Sequence, residues 1–537
     1  MKKFSKILSV ALLVALVLSL GVANAFAATD PAGRENGQPL TDRTITLTNP
    51  SVGHTYELYQ IFTGTFAVIK DDNNVNQDTL GNLAYGNGLT LTDGKYDGKT
   101  AEELAATITN TAEGARKFAN DINADLQNGV SSGEIPAPEE GQSVAPYTWN
   151  NLSEGYYIIK DVTAAANMPE GETADLVVVQ VLDNVEITAK SGTVEFDKNV
   201  ADRNDSTQAP TVYDEWGKVS DYDVGDDVPY QVTIKLPANF SSYKTYQMTM
   251  HDDMDSGLVF NDDVKVWFGD QEVPKAKYTV TKNSNGHTFE VAFAEVVGML
   301  GAADNTEYTI TYSAKLNGSN IIYGNPGNKN EAWLTYSNNP TTGGEGGTTP
   351  HKTTVTFTYK FEVDKVDKDT KPLAGAEFKL EKLIKGAEGQ EDTWKVLSLQ
   401  TGGEGTVFTF AGLDDGYYRI TETKTPAGYN SIQPIYFRVT ATEDEESLSL
   451  PANSVIVKQT NENWQDITEN ATAEFNVTLN KVENGKDAGL IDTQVVNNSG
   501  TVLPSTGGIG TTIFYVVGGV LVLAAIILLV TKKRMSE

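Results

Sequence analysis

The sequence predicts a mainly β protein, built as a tandem row of β-sandwich domains. Three observations carry that expectation. Short alternating or apolar runs recur through the chain, among them residues 44–47, 176–179, 230–234 and 474–479. Such runs fit strands, which expose one face and bury the other. Clusters of Gly, Asn and Asp separate them, as turns require. One stretch alone, 100–126, has Ala-rich composition and Ala/Leu/Ile at helical spacing, with Gly129 just past its end.

The elements fall into place in chain order. Lys2, Lys3 and Lys6 precede an apolar run at 7–22 and small residues at 23–27. This is the layout of a secretory signal peptide over 1–27, cleaved after Ala27. At about 150 residues per domain, what remains of the 537 residues suggests three domains. The first is expected over 28–190 and carries the helix as an insertion. The second is expected over 191–339. A Gly- and Thr-rich linker is expected at 340–350, and a third domain over 351–498. The first and third share a Gly-Tyr-Tyr strand, at 155–157 and 416–418.

The C-terminus has three consecutive parts. Leu503-Pro504-Ser505-Thr506-Gly507 comes first. Residues 513–530 carry no charge and are roughly long enough to cross a bilayer as a helix. The tail 531–537 contains Lys532, Lys533 and Arg534, a basic cluster that keeps it in the cytoplasm.

Composition narrows the function classes. An exported chain with no cysteine has no disulfides to resist force or proteolysis. A formal net charge of -31 argues against nucleic acid and anionic membrane as partners. His54, His251, His287 and His351 are scattered and show no metal or triad spacing. The acidic run 71–74 lacks the spacing of a calcium loop. No metal, no cofactor and no centre acting on outside substrates is expected.

One constellation carries chemistry on its own chain. In the strand at 361–366, period two puts Lys365 on the face of Phe361 and Val363. Glu422 shares a face with Tyr418 and Ile420, and Asn497 with Val495. A lysine, a glutamate and an asparagine are thus all aimed into one core. Burial drives the amine and the carboxyl toward their neutral forms. A neutral amine held against an amide carbon can attack it and expel ammonia, with the carboxyl relaying protons. The product is a Lys–Asn isopeptide bond between the first and last strands.

Resemblance extends this reading. The pentapeptide, apolar span and basic tail resemble the cell-wall sorting signal of Gram-positive surface proteins. That family implies a sortase cutting between Thr506 and Gly507 and passing the Thr506 carboxyl to an amine. The text around Lys365, Glu422 and Asn497, with Leu373-Ala374-Gly375 and Pro426-Ala427-Gly428-Tyr429, resembles the collagen-adhesin B-type domain of Gram-positive pilins. There the matching Lys, Glu and Asn form the isopeptide bond. The second domain resembles the isopeptide-forming domain of fimbrial subunits. It implies Lys198 joined to Asn338 with Asp252 as catalyst. Asn330 has the same parity as Asn338, and Asp253 stands beside Asp252, so both assignments stay open. The first domain lacks a lysine in its first strand and has Asp161 in the place of Glu422; no bond is expected there. Residues 181–190 match the pilin lysine motif in part, with Val185, Ile187 and Lys190 in place.

As a whole the chain resembles a sortase-assembled major pilin with Ig-like sandwiches of collagen-adhesin A and B type. The resemblance implies a structural backbone subunit of a covalent pilus on a Gram-positive cell wall. Its partners would be sortase, other copies of itself through Lys190, tip and basal pilins, and peptidoglycan. The alternatives are a monomeric wall-anchored adhesin that binds host matrix, and a basal or accessory pilin.

Overall fold

The computed structural model describes residues 41–70, 76–92, 96, 98–108, 112–164, 167–174, 176–188, 192–209, 216–340, 346–401, 405–467, 475–478, 482–483, 486–487, 489–500 and 509–534. The chain divides into two compact units. One comprises 1–203, 211–358 and 442–451; the other comprises 204–210, 359–441 and 452–537. The first two expected domains therefore share a unit. All sheet descriptions below are of the described residues.

In the first domain, the strand Arg43–Thr48 lies between Tyr147–Leu152 and Val185–Thr188, the latter in parallel. A second sheet runs Asn76–Tyr85, Thr55–Lys70, Gly155–Asp161, Leu176–Val181, with Val130–Glu134 also on Thr55–Lys70. Ile45, Leu47, Trp149 and Val181 pack into the core between them. The helix expected over 100–126 is broken into Ala101–Ala105, Ala112–Asp121 and a short 3-10 turn at Asn123–Asp125. Thr100 and Glu103 form a capping box at its start. The break follows Thr107, whose hydroxyl donates back to the Leu104 carbonyl while the chain tightens to i→i+3 bonds. Leu104, Phe118 and Ile122 still bury one face.

The second domain is a sandwich of two sheets. One runs Trp216–Gly217, Glu195–Ala201, Asp227–Lys235, Glu307–Leu316, Lys265–Phe268, Gln271–Glu272. The other runs Val219–Asp221, Lys352–Phe357, Asn328–Tyr336, Met248–Met254, His287–Phe293, Thr279–Ser284. Strict alternation explains the layers. In Asp227–Lys235, the residues Val228, Tyr230, Val232 and Ile234 are buried while their neighbours are not. Burial of each such side chain contributes roughly 1.5–3 kcal/mol. The first strand, Glu195–Ala201, and the strand Asn328–Tyr336 thus lie in opposite sheets. Residues 347–357, expected as linker and start of the third domain, pair with Asn328–Tyr336 instead. Thr and Val dominate 352–357, and that composition suits a sheet better than a tether.

The third domain has a sheet Val407–Leu413, Tyr359–Asp367, Leu490–Asn497, Phe475–Thr478, and a second, Thr393–Thr401, Glu377–Ile384, Gly416–Lys424, Ile435–Thr440, Ile456–Thr460. First and last strands run side by side in parallel, as in the first domain. The C-terminal helix Ile509–Arg534 contains the apolar span expected at 513–530. Val516, Val517, Leu521 and Leu528 are exposed on it. Among the described residues, no helix is long and apolar enough to cross a membrane.

Candidate functional site

In the third domain, parallel pairing sets Lys365 opposite Val495 and Asp367 opposite Asn497. This puts the lysine and the asparagine two residues apart on neighbouring strands. Both are fully buried. The Lys365 Nζ donates to the Val366 and Val495 carbonyl oxygens at 3.1 and 3.0 Å. Burial lowers the Lys365 pKa to about 8, against the opposing pull of the Glu422 and Asp367 charges. Glu422 comes from the facing sheet. The Asn497 Nδ2 donates to both Glu422 oxygens at 3.0 Å and to the Asn430 carbonyl at 2.9 Å. Its Oδ1 is buried with no hydrogen-bond partner. The amide nitrogen, the leaving group of an acyl transfer, is therefore held on a carboxyl.

In the second domain Lys198 reaches across the sandwich. Its Nζ donates to Asp252 Oδ2 and to the Tyr312 hydroxyl, each at 2.6 Å. The Tyr312 hydroxyl also donates to Asp252 Oδ2. Tyr230 and Tyr312 stack on each other, and Lys198 lies over both rings. All of these groups are buried. Burial, the largest influence on each, lowers the Lys198 pKa and raises that of Asp252. Each partner's charge opposes that shift without reversing it. Both shifts favour moving the proton from the ammonium toward the carboxylate.

Asn330 belongs to this group: its Nδ2 donates to the Tyr312 hydroxyl at 3.5 Å, and its Oδ1 is buried without a partner. It repeats the state of Asn497. Asn338 is not brought here. Ala332 pairs with Asp252, so Asn338 lies six residues farther along the chain, where its carbonyl accepts from Ala174. Period two admits both asparagines, whereas the register sets the level. Asp253 points away, with its carboxylate 3.2 Å from His287 Nδ1. Sequence reasoning missed Tyr312. Its signal was the alternation of 307–316, which places it on the inward face.

The first domain fills the corresponding position differently. Asp161 Oδ2 is 2.6 Å from the buried His54 Nδ1, and His54 Nε2 is 3.0 Å from Glu172 Oε2. Burial alone would lower the His54 pKa. The bonds to Asp161 and Glu172, and their charges, outweigh it and raise the value to about 9. His54 thus gives Asp161 a cationic partner from the turn before Thr55–Lys70, not from the first strand that carries the lysine in the other domains. The strand Val185–Thr188 buries Val185 and Ile187 and exposes Glu186 and Thr188. Lys190, the pentapeptide Leu503, Pro504, Ser505, Thr506 and Gly507, the acidic run 71–74 and the signal segment 1–27 lie outside the described residues.

Comparisons with known proteins fall on the same segments. Residues 224–340 match the family model of the Gram-positive pilin backbone subunit 2, Cna-B-like domain. Residues 359–453 match a prealbumin-like fold domain, and 495–537 match the LPXTG cell wall anchor motif. The trypsin-resistant surface T6 protein of Streptococcus pyogenes serotype M6 is 24% identical over 560 residues, covering 91% of this chain and 94% of that protein. The T6 backbone pilin structure from serotype M6 of that species aligns at TM-score 0.49 and 20% identity, over 85% of this chain and 99% of the other. The major pilin SpaD of Corynebacterium diphtheriae aligns at TM-score 0.46 and 18% identity, over 86% and 98%.

Proposed function

The chain carries the domains of a Gram-positive pilin backbone protein and its LPXTG wall anchor, and we propose that it is the structural subunit of a covalent pilus, locked internally by two isopeptide bonds. The observation that carries this is the pair of buried lysines, each near a buried asparagine and a carboxylate: Lys198 with Asp252 and Asn330, and Lys365 with Glu422 and Asn497. The fully buried Lys198–Asp252 pair is costly as a mere ion pair. Converted to an amide bond, the same groups lose both charges.

In the third domain the neutral Lys365 Nζ attacks Asn497 Cγ. The new C–N bond forms, the bond to Nδ2 breaks, and ammonia leaves with protons relayed by Glu422. In the second domain Asp252 takes the proton of Lys198, and the amine attacks Asn330 Cγ with Tyr312 beside the departing nitrogen. Proximity in a dry core supplies most of the acceleration.

Polymerisation uses the C-terminal sorting signal and a lysine at the junction of the first two domains. Sortase cleaves between Thr506 and Gly507 after recognising Leu503 and Pro504, and holds Thr506 as an acyl-enzyme. The Lys190 amine of another copy displaces the sortase thiol, so subunits join head to tail. The final acceptor is an amine of the peptidoglycan, and tip and basal pilins complete the fibre.

The test is an immunoblot of wall material released by muramidase, comparing wild type with Lys190→Ala. A ladder of high-mass species that collapses to monomer in the variant is the expected result. A single monomer-sized band in wild type, with the sortases expressed, would overturn the polymer and leave a wall-anchored adhesin.

A further inference from the structure

The scattered histidines meet in space. His251 sits on the central strand Met248–Met254. Antiparallel pairing sets Glu290 directly opposite on one side and Trp333 on the other. His287 opens the strand that carries Glu290, and its ring lies 5.0 Å from that of His251. Trp333 stacks on His251, meets His287 edge-on, and stacks on His351 at 4.1 Å. Three of the four histidines thus surround one indole on the outer face of one sheet. None faces the isopeptide cluster, because alternation sends Asp252 to the opposite face.

We propose that His251, His287 and Glu290 form a binding site for a borderline divalent transition metal, with zinc the natural occupant by ligand chemistry. Four features of the site support it. One ring nitrogen of each histidine and one carboxylate oxygen lie within 4.8 Å of one another. The His251 Nδ1 and Glu290 Oε1 are 3.0 Å apart. Two ligands of a tetrahedral zinc, each about 2.0–2.1 Å from the ion, stand roughly 3.3 Å apart, so this edge is nearly formed. The other ring nitrogen, Nε2, is 3.0 Å from the Thr335 hydroxyl. With its proton donated to Thr335, Nε2 fixes the tautomer that leaves the Nδ1 lone pair facing Glu290, the outer-shell arrangement of metal-bound histidines.

The second histidine ligand is also supported from behind. The His287 Nδ1 is 3.2 Å from both Asp253 oxygens, which hold that ring in place. Asn285 Nδ2 donates to both Glu290 oxygens at 3.2 and 3.3 Å, holding the carboxylate in place. His251 and His287 are partly exposed and Glu290 is buried beside them, so an ion can enter from solvent and still lose most of its water. Two imidazoles and one carboxylate, with a fourth position open to water, suit zinc better than calcium or magnesium, which take oxygen ligands. A bound ion would clamp the hairpin of Thr279–Ser284 and His287–Phe293 to the central strand.

The test is calorimetric titration of the purified mature chain with zinc chloride after EDTA treatment, with cobalt(II) absorption as a second readout. The expected result is saturable uptake of one ion per chain, a tetrahedral cobalt spectrum, and a raised melting temperature of the second domain. Uptake should be lost in His287→Ala and in Glu290→Gln, and kept in His351→Ala. His287 stands at a strand end, so its variant should fold, which is checked by an unchanged melting temperature in EDTA. Absence of saturable uptake in wild type, or uptake that persists unchanged in both ligand variants, overturns the proposal.

Discussion

The bond between Lys365 and Asn497 makes a prediction with two independent readouts. The first is mass. Each isopeptide bond expels one ammonia, so the mature chain should weigh about 17 Da less per bond than its sequence. With bonds in the second and third domains the deficit is about 34 Da. Lys365→Ala or Glu422→Gln should each restore about 17 Da beyond the substitution itself. The second readout is stability. The cross-link closes a loop of about 130 residues, which in the chain-entropy model of a disulfide removes about 5 kcal/mol of unfolded-state entropy. For a domain of this size, that corresponds to about 10–20 °C in melting temperature. Lys365→Ala also leaves a cavity where a fully buried side chain stood. Glu422→Gln removes that ambiguity, since it keeps the lysine, the asparagine and the shape. It should lower the transition of the third domain and raise its sensitivity to trypsin. An intact wild-type mass equal to the sequence mass would refute the reasoning, however stable the domain proved.

Two further predictions follow from the other domains. Asn330→Ala should abolish the mass deficit of the second domain, whereas Asn338→Ala should keep it; the reverse pattern would mean that the strand register described here is not the one that reacts. The pH dependence of the first domain should follow His54, whose folded pKa of about 9 lies above its ordinary 6.5. A pKa raised on folding gives stability that is fully present below about pH 6.5 and lost as pH rises through about 9. The loss in the first-domain denaturant transition should be no more than about 3 kcal/mol, and His54→Gln should flatten the profile. A transition insensitive to pH between 6 and 10 in wild type would remove the imidazolium from the account.

Much of this was legible in the sequence because period two is a local property. Which face Lys198, Lys365, Glu422 and Asn497 take follows from their neighbours alone, and the structure buries both lysines and Asn497. Two kinds of information were not local. One is the level at which strands pair: Asn330 and Asn338 have the same parity, and register alone separates them. The other is which strands become neighbours. His251, Glu290 and Trp333 lie far apart in the chain and meet only because three strands align. The helix failed for a third reason. Its Ala-rich ends read correctly, but the Thr-rich middle lets side chains compete for backbone carbonyls, and the helix breaks there.

The distribution of the three clusters fits the path that tension would take. With Lys190 as the linking residue, force from the next subunit enters the chain after the first domain and leaves through Thr506. The first domain then hangs outside the loaded segment, and the second and third lie within it. A bond from Lys198 to Asn330 carries load past about 130 residues of the second domain, and one from Lys365 to Asn497 past a similar length of the third. No strand between those anchors need unzip. The first domain has no such demand, and there the ion pairs of His54 with Asp161 and Glu172 suffice. An ion pair yields to force or pH, whereas an amide bond does not. On this proposal the covalent locks lie where the linkage would pull and an ordinary buried ion pair lies where it would not. If the linking lysine were instead in the first domain, that domain would carry load without a lock. The immunoblot of Lys190→Ala therefore also tests why only two of the three domains hold a buried lysine beside an asparagine.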